Sequence, residues 1–85
     1  MKIEFAFSYA KLKPKEREVI EFLYGYPRKT FEGGYSDLVK AMNLPVYENV
    51  SNYRKTILNL TKMRIVEINI PKFIKLTADW KERIK

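Results

Sequence analysis

The 85-residue chain contains no cysteine and no histidine. Without cysteine there is no disulfide framework and no thiolate metal site, and nothing argues for an oxidising compartment, so a cytoplasmic location is expected. With histidine missing as well, the side chains most used as general base, nucleophile or transition-metal ligand are gone. The carboxylates Glu16, Glu18 and Glu21 sit among basic neighbours on one N-terminal segment and read as ordinary surface. Residues 49–66 supply no acid to hold magnesium. An enzyme is therefore not expected, and neither is a cofactor or a metal.

Long apolar runs are lacking too: none approaches the roughly 18 residues a membrane span requires. Glu4 interrupts Met1-Lys2-Ile3-Glu4-Phe5 before it could form a signal-peptide core. No membrane partner is expected. Repeats, low-complexity tracts and Pro/Ser-rich linkers do not occur, and with 46% hydrophobic residues the chain reads as a single domain over 1–85.

What is abundant is positive charge. Seventeen Lys and Arg against ten Asp and Glu give +7, which favours an anionic partner such as nucleic acid. Residues 1–24 hold five bases and four acids, 25–48 three and three, 49–66 four and none, and 67–85 five and three. More than half of the excess thus falls in one stretch without acids, where an inert solvated helix would usually mix signs.

Hydropathy periods order the chain. Ile3, Phe5 and Phe7 alternate with polar or small residues, which predicts a strand or extended arm over 1–11. Pro14 opens a helix whose inner side is Val19, Ile20, Leu23 and Tyr24, and Gly25 ends it. Tyr26-Pro27-Arg28-Lys29 reads as a loop and Thr30-Phe31-Glu32 as a short strand. Gly33-Gly34 makes a turn, and no Lys-Ser/Thr follows to make it a phosphate loop. Ser36 is the expected N-cap of a helix over Asp37–Met42, with Leu38, Ala41 and Met42 inward and Asn43 closing it in the left-handed conformation. A third helix begins between Tyr47 and Ser51 and runs to about Met63. On it Val50, Tyr53, Ile57 and Leu60 share an apolar arc of roughly 80° at 100° per residue. Asn52, Lys55, Asn59 and Lys62 lie opposite, with Ser51, Arg54 and Leu58 on one flank. Ile65–Ile70 and Phe73–Thr77 form a β-hairpin about Pro71-Lys72. Thr77 is the expected N-cap of a last helix over residues 78–85, on which Trp80 and Ile84 are expected to share a face.

This order resembles the winged helix-turn-helix DNA-binding superfamily, MarR-like and related small regulators included. Ser36-Asp37-Leu38-Val39-Lys40-Ala41-Met42-Asn43-Leu44 is similar to the positioning helix and turn of that family. Ser51-Asn52-Tyr53-Arg54-Lys55-Thr56-Ile57-Leu58-Asn59-Leu60 resembles its recognition helix, Met63-Arg64-Ile65-Val66 the step into the wing, and Leu76-Thr77 the lead into the last helix. The resemblance spans residues 12–85. Two departures stand out: the link Pro45–Asn49 is longer than a three-residue turn, and Arg64 replaces a residue that is often small. The resemblance implies an α+β fold, with a three-helix core, a C-terminal hairpin wing and a short final helix.

It also implies sequence-specific binding of double-stranded DNA, with the helix around 49–63 in the major groove and wing contacts from 67–76, as in a transcriptional regulator. Ser51, Asn52, Lys55 and Asn59 are the candidate base contacts, since Asn pairs best with adenine and Lys with guanine. Arg54, Lys62, Arg64, Lys72 and Lys75 are the candidate phosphate contacts. Each has a plainer alternative: Lys62 suits a helix C-terminus by the dipole alone, and Lys72 suits any exposed turn. Trp80, Ile84 and the Ile3/Phe5/Phe7 arm are the candidate surface of a homodimer, or else they close the monomer's own core. A winged-helix protein-interaction module and a mobile-element replication or excision factor are the competing functions.

Overall fold

In the computed structural model, residues 12–84 are described, Ile84 by its backbone alone; the predicted arm over 1–11 lies outside them. Helix α1 spans Pro14–Tyr24. Proline at the first helical position is preset for helical φ and gives up an N–H that would have no partner there. Two residues on, Glu16 Oε1 accepts the Lys13 N–H at 2.9 Å. Val19, Ile20 and Leu23 are buried as their spacing predicts.

After Gly25, a tight turn over Pro27–Lys29, with Arg28 and Lys29 both in the left-handed region at φ 58° and 52°, leads into strand β1, Thr30–Glu32. Helix α2 is Tyr35–Ala41 and begins one residue before the expected Ser36 cap. Its N-cap is Gly34, whose N–H is accepted by Asp37 Oδ2 at 2.9 Å, so the capping oxygen comes from inside the first turn. Leu38 and Val39 are buried, whereas Ala41, expected to face inward, is exposed. Asn43 takes the left-handed conformation foreseen for it, with φ 65°.

Helix α3 is Val46–Lys62 and starts immediately after Pro45. The stretch Pro45–Asn49 is thus mostly helix, and the connection from α2 is the four residues Met42–Pro45. Glu48 in the first turn suits the positive end of the helix. Its inclusion alters the charge count: α3 carries Arg54, Lys55 and Lys62 against one acid, not against none. Tyr53, Ile57 and Leu60 are buried, as the apolar arc predicts.

Strands β2, Val66–Asn69, and β3, Phe73–Leu76, form the expected hairpin, and β1 adds to the far side of β3. The antiparallel sheet therefore runs β1-β3-β2, with Phe31 and Ile68 both opposite Ile74. Alternation puts Phe31, Val66, Ile74 and Leu76 against the helices and Thr30, Glu32, Glu67, Phe73 and Lys75 on the other face. Thr77 does not cap a helix. Its hydroxyl donates to the carbonyls of Arg64 at 2.8 Å and Ile65 at 3.3 Å, clasping the open end of the hairpin, and α4 begins only at Trp80, ending at Ile84. Trp80 is buried beside Tyr24, ring centroids 5.7 Å apart, and so packs into this chain's own core, the second of the two expectations for it.

Among the described residues this is a small α+β domain of four α-helices and a three-stranded antiparallel sheet. No described helix is long and apolar enough to cross a membrane.

Candidate nucleic-acid interface

With Tyr53, Ile57 and Leu60 facing inward, the opposite side of α3 is left uncovered along 17 residues, about 26 Å of helix. Ser51, Asn52, Arg54, Lys55, Leu58, Asn59 and Lys62 are all exposed. Tyr47, in the first turn, is fully exposed at 100%. Glu48, Lys55 and Lys62, seven apart, fall on one stripe at the outermost line of the helix.

The two flanks of that stripe differ. Toward α1, Asn59 donates through Nδ2 to Glu16 Oε2 at 2.5 Å, and the Tyr53 hydroxyl donates to Glu18 Oε2 at 2.6 Å. Two carboxylates expected to be ordinary surface therefore bind α1 to α3. Glu16 is only 4% exposed, because its oxygens serve the Lys13 N–H and the Asn59 amide. Burial, and then the hydrogen bond to Glu18, pushes the Tyr53 phenol up to about 12. Toward the hairpin, Val50, Arg54 and Leu58 face Ile70 and Pro71 across a groove floored by Gly34 and Tyr35. Leu58 and Ile70, 36% and 38% exposed, make this flank apolar.

The predicted site residues divide accordingly. Ser51, Asn52 and Lys55 lie together on the uncovered side, and no side-chain hydrogen bond to a described residue occupies them. Asn59 is exposed, yet its amide is engaged by Glu16, which makes it a helix-docking residue first. Arg54 stands on the hairpin flank and Lys62 at the C-terminal end of the stripe. Arg64 is exposed with φ 63°, in the left-handed position that follows a helix C-terminus, the conformation that makes a small residue common there. Lys72 is exposed at the hairpin bend, but its carbonyl accepts the Gly33 N–H at 3.0 Å, so the bend is tied to the β1–α2 turn and does not project freely.

Lys75 is placed apart from the others. It lies on the central strand, on the face away from the helices, with Nζ 3.9 Å from Glu67 Oε1 and 5.3 Å from the Phe73 ring centroid. Tyr47, Glu48 and Lys13 are missing from the residues singled out by the sequence pattern. The signal for the first two is Pro45 followed three residues later by an acid, a helix start. For Lys13 there is none, because only the packing of α1 on α3 brings it near.

Among the described residues no group of three acids, histidines or cysteines is placed to hold a metal ion. Comparison with family models, with curated proteins and with solved structures gave no match.

Proposed function

We propose that the chain is a winged-helix protein that binds double-stranded DNA, with α3 entering the major groove and reading sequence, as a transcriptional regulator does. The single observation that carries this reading is the uncovered polar and cationic side of α3, Ser51, Asn52, Lys55 and Lys62 with the first-turn residues Tyr47 and Glu48, opposite a buried apolar face. A major groove about 12 Å wide admits one α-helix, and an amide, an ammonium and a carboxylate are the groups that distinguish base pairs there. Asn52 and Lys55 supply the first two, and Glu48 adds an acceptor suited to the cytosine amino group. The helix order, the β1-β3-β2 sheet and the net charge of +7 agree with it. The chain works by binding, not catalysis.

The test is titration of labelled duplexes of mixed sequence at two salt concentrations, using wild type and Asn52→Ala/Lys55→Ala. Wild type binds with steep salt dependence, and the double variant loses preference among sequences more than overall affinity. If both ignore duplex at low salt, the protein-interaction reading replaces this one.

A further inference from the structure

The N-terminal end of α1 and the C-terminal half of α3 enclose a cleft of about 370 Å³ lined by Lys13, Glu16, Lys55, Thr56, Asn59 and Lys62, with Leu58 at its edge. Lys13 lines it from the start of α1, and Lys55 and Lys62, more than forty residues later in the chain, line it from α3; no ion pair to a described acid occupies any of the three. The cleft's one carboxylate, Glu16, is turned inward and occupied by the Lys13 N–H and the Asn59 amide. The rim is thus cationic and its floor is held rigid by a hydrogen bond between the two helices. The opposite flank of α3 has the reverse character: Leu58, Val50, Ile70 and Pro71 line it.

We propose, resting on the DNA-binding reading above, that Lys13 joins Lys62 to hold a phosphodiester of the strand bordering the major groove, so that the main backbone contact lies on the α1 side of the reading helix and not at the hairpin. Lys55, between them at mid-helix, keeps to the base edges. Lys62, about two turns further along α3, and Lys13, across the cleft, flank the phosphate. Asn59 is a positioning residue: its bond to Glu16 holds α1, and with it Lys13, at this distance from α3.

The experiment measures the affinity of the full chain for one duplex across a series of salt concentrations, for wild type, Lys13→Gln, Lys62→Gln and Lys72→Gln, with circular dichroism and thermal melting of each variant. Lys13 and Lys72 are both exposed, so neither replacement disturbs the core. Lys13→Gln and Lys62→Gln each reduce the slope of log affinity against log salt by about 0.9 and weaken binding roughly tenfold near 0.1 M salt, with preference among sequences unchanged. Lys72→Gln leaves the slope at the wild-type value. An unchanged slope in folded Lys13→Gln, or a drop confined to Lys72→Gln, overturns the α1-side placement while leaving DNA binding standing. Absence of wild-type binding at every salt concentration removes both together.

Discussion

Glu16 is the residue on which most of this arrangement turns. A carboxylate accepting a backbone N–H and a side-chain amide is stabilised by charge-assisted hydrogen bonds, each stronger than a neutral one. Glu16→Ala leaves the Lys13 N–H without its cap and frees Asn59, for a loss of about 2 kcal/mol in chemical denaturation. Asn59→Ala costs about 1 kcal/mol, and the two together cost less than their sum, a coupling that a double-mutant cycle reads directly. Asn59→Ala leaves preference among duplex sequences unaltered, whereas a base-reading amide would change it. Tyr53 adds a pH dependence of known sign. Its phenol keeps its proton up to about 12 in the folded chain against 10.0 for a free phenol, so between those values the folded state binds the proton and the unfolded state has lost it. The stability from this group is complete below pH 10 and lost as pH rises through about 12. Tyr53→Phe flattens that alkaline fall, measured by denaturant midpoints with tyrosinate absorbance as the titration probe.

At the scale of elements, periodicity reported the buried faces well and the ends poorly. Val19, Ile20 and Leu23 on α1 and Tyr53, Ile57 and Leu60 on α3 are legible because burial repeats with the helix period. Helix starts are displaced from their expected places: for α2 the capping oxygen sits inside the first turn, where Asp37 serves the Gly34 N–H, and α3 starts directly after Pro45, ahead of the expected window, without a side-chain cap. Thr77 shows the limit of a local rule, since its hydroxyl is taken by carbonyls twelve and thirteen residues away. The connections carry their own prediction. Arg64 adopts φ 63° and Gly33 φ 143°, and a Cβ on Gly33 would meet Asp37 Cβ at 2.8 Å. Arg64→Gly therefore raises stability by up to about 1 kcal/mol, while Gly33→Ala lowers it by about 2 kcal/mol, both read as shifts in thermal melting. If Arg64 also holds a phosphate, the stabler Arg64→Gly protein binds duplex more weakly, which separates the two roles.

Across the whole molecule, charge pattern and helix order pointed to one face, and the fold leaves that face of α3 uncovered. Invisible in the sequence was everything set by packing between distant segments: the pairing of β1 with β3, the burial of Glu16, the Lys13–Lys55–Lys62 cleft and the tether between Gly33 and Lys72. Those contacts make the molecule asymmetric about α3, cationic toward α1 and apolar toward the hairpin, so a partner meets two unlike edges. The outer sheet face is a different surface, where Lys75 is balanced by Glu67 and where binding of a polyanion has little to favour it. Titration of the isotopically labelled chain with duplex DNA, followed by backbone amide chemical shifts in NMR, tests the central claim most directly. Perturbations centred on Glu48, Ser51, Asn52 and Lys55 and extending to Lys13 and Lys62 are the predicted result. Shifts confined to Thr30, Glu32, Phe73 and Lys75, or to the groove between Leu58 and Ile70, would contradict it.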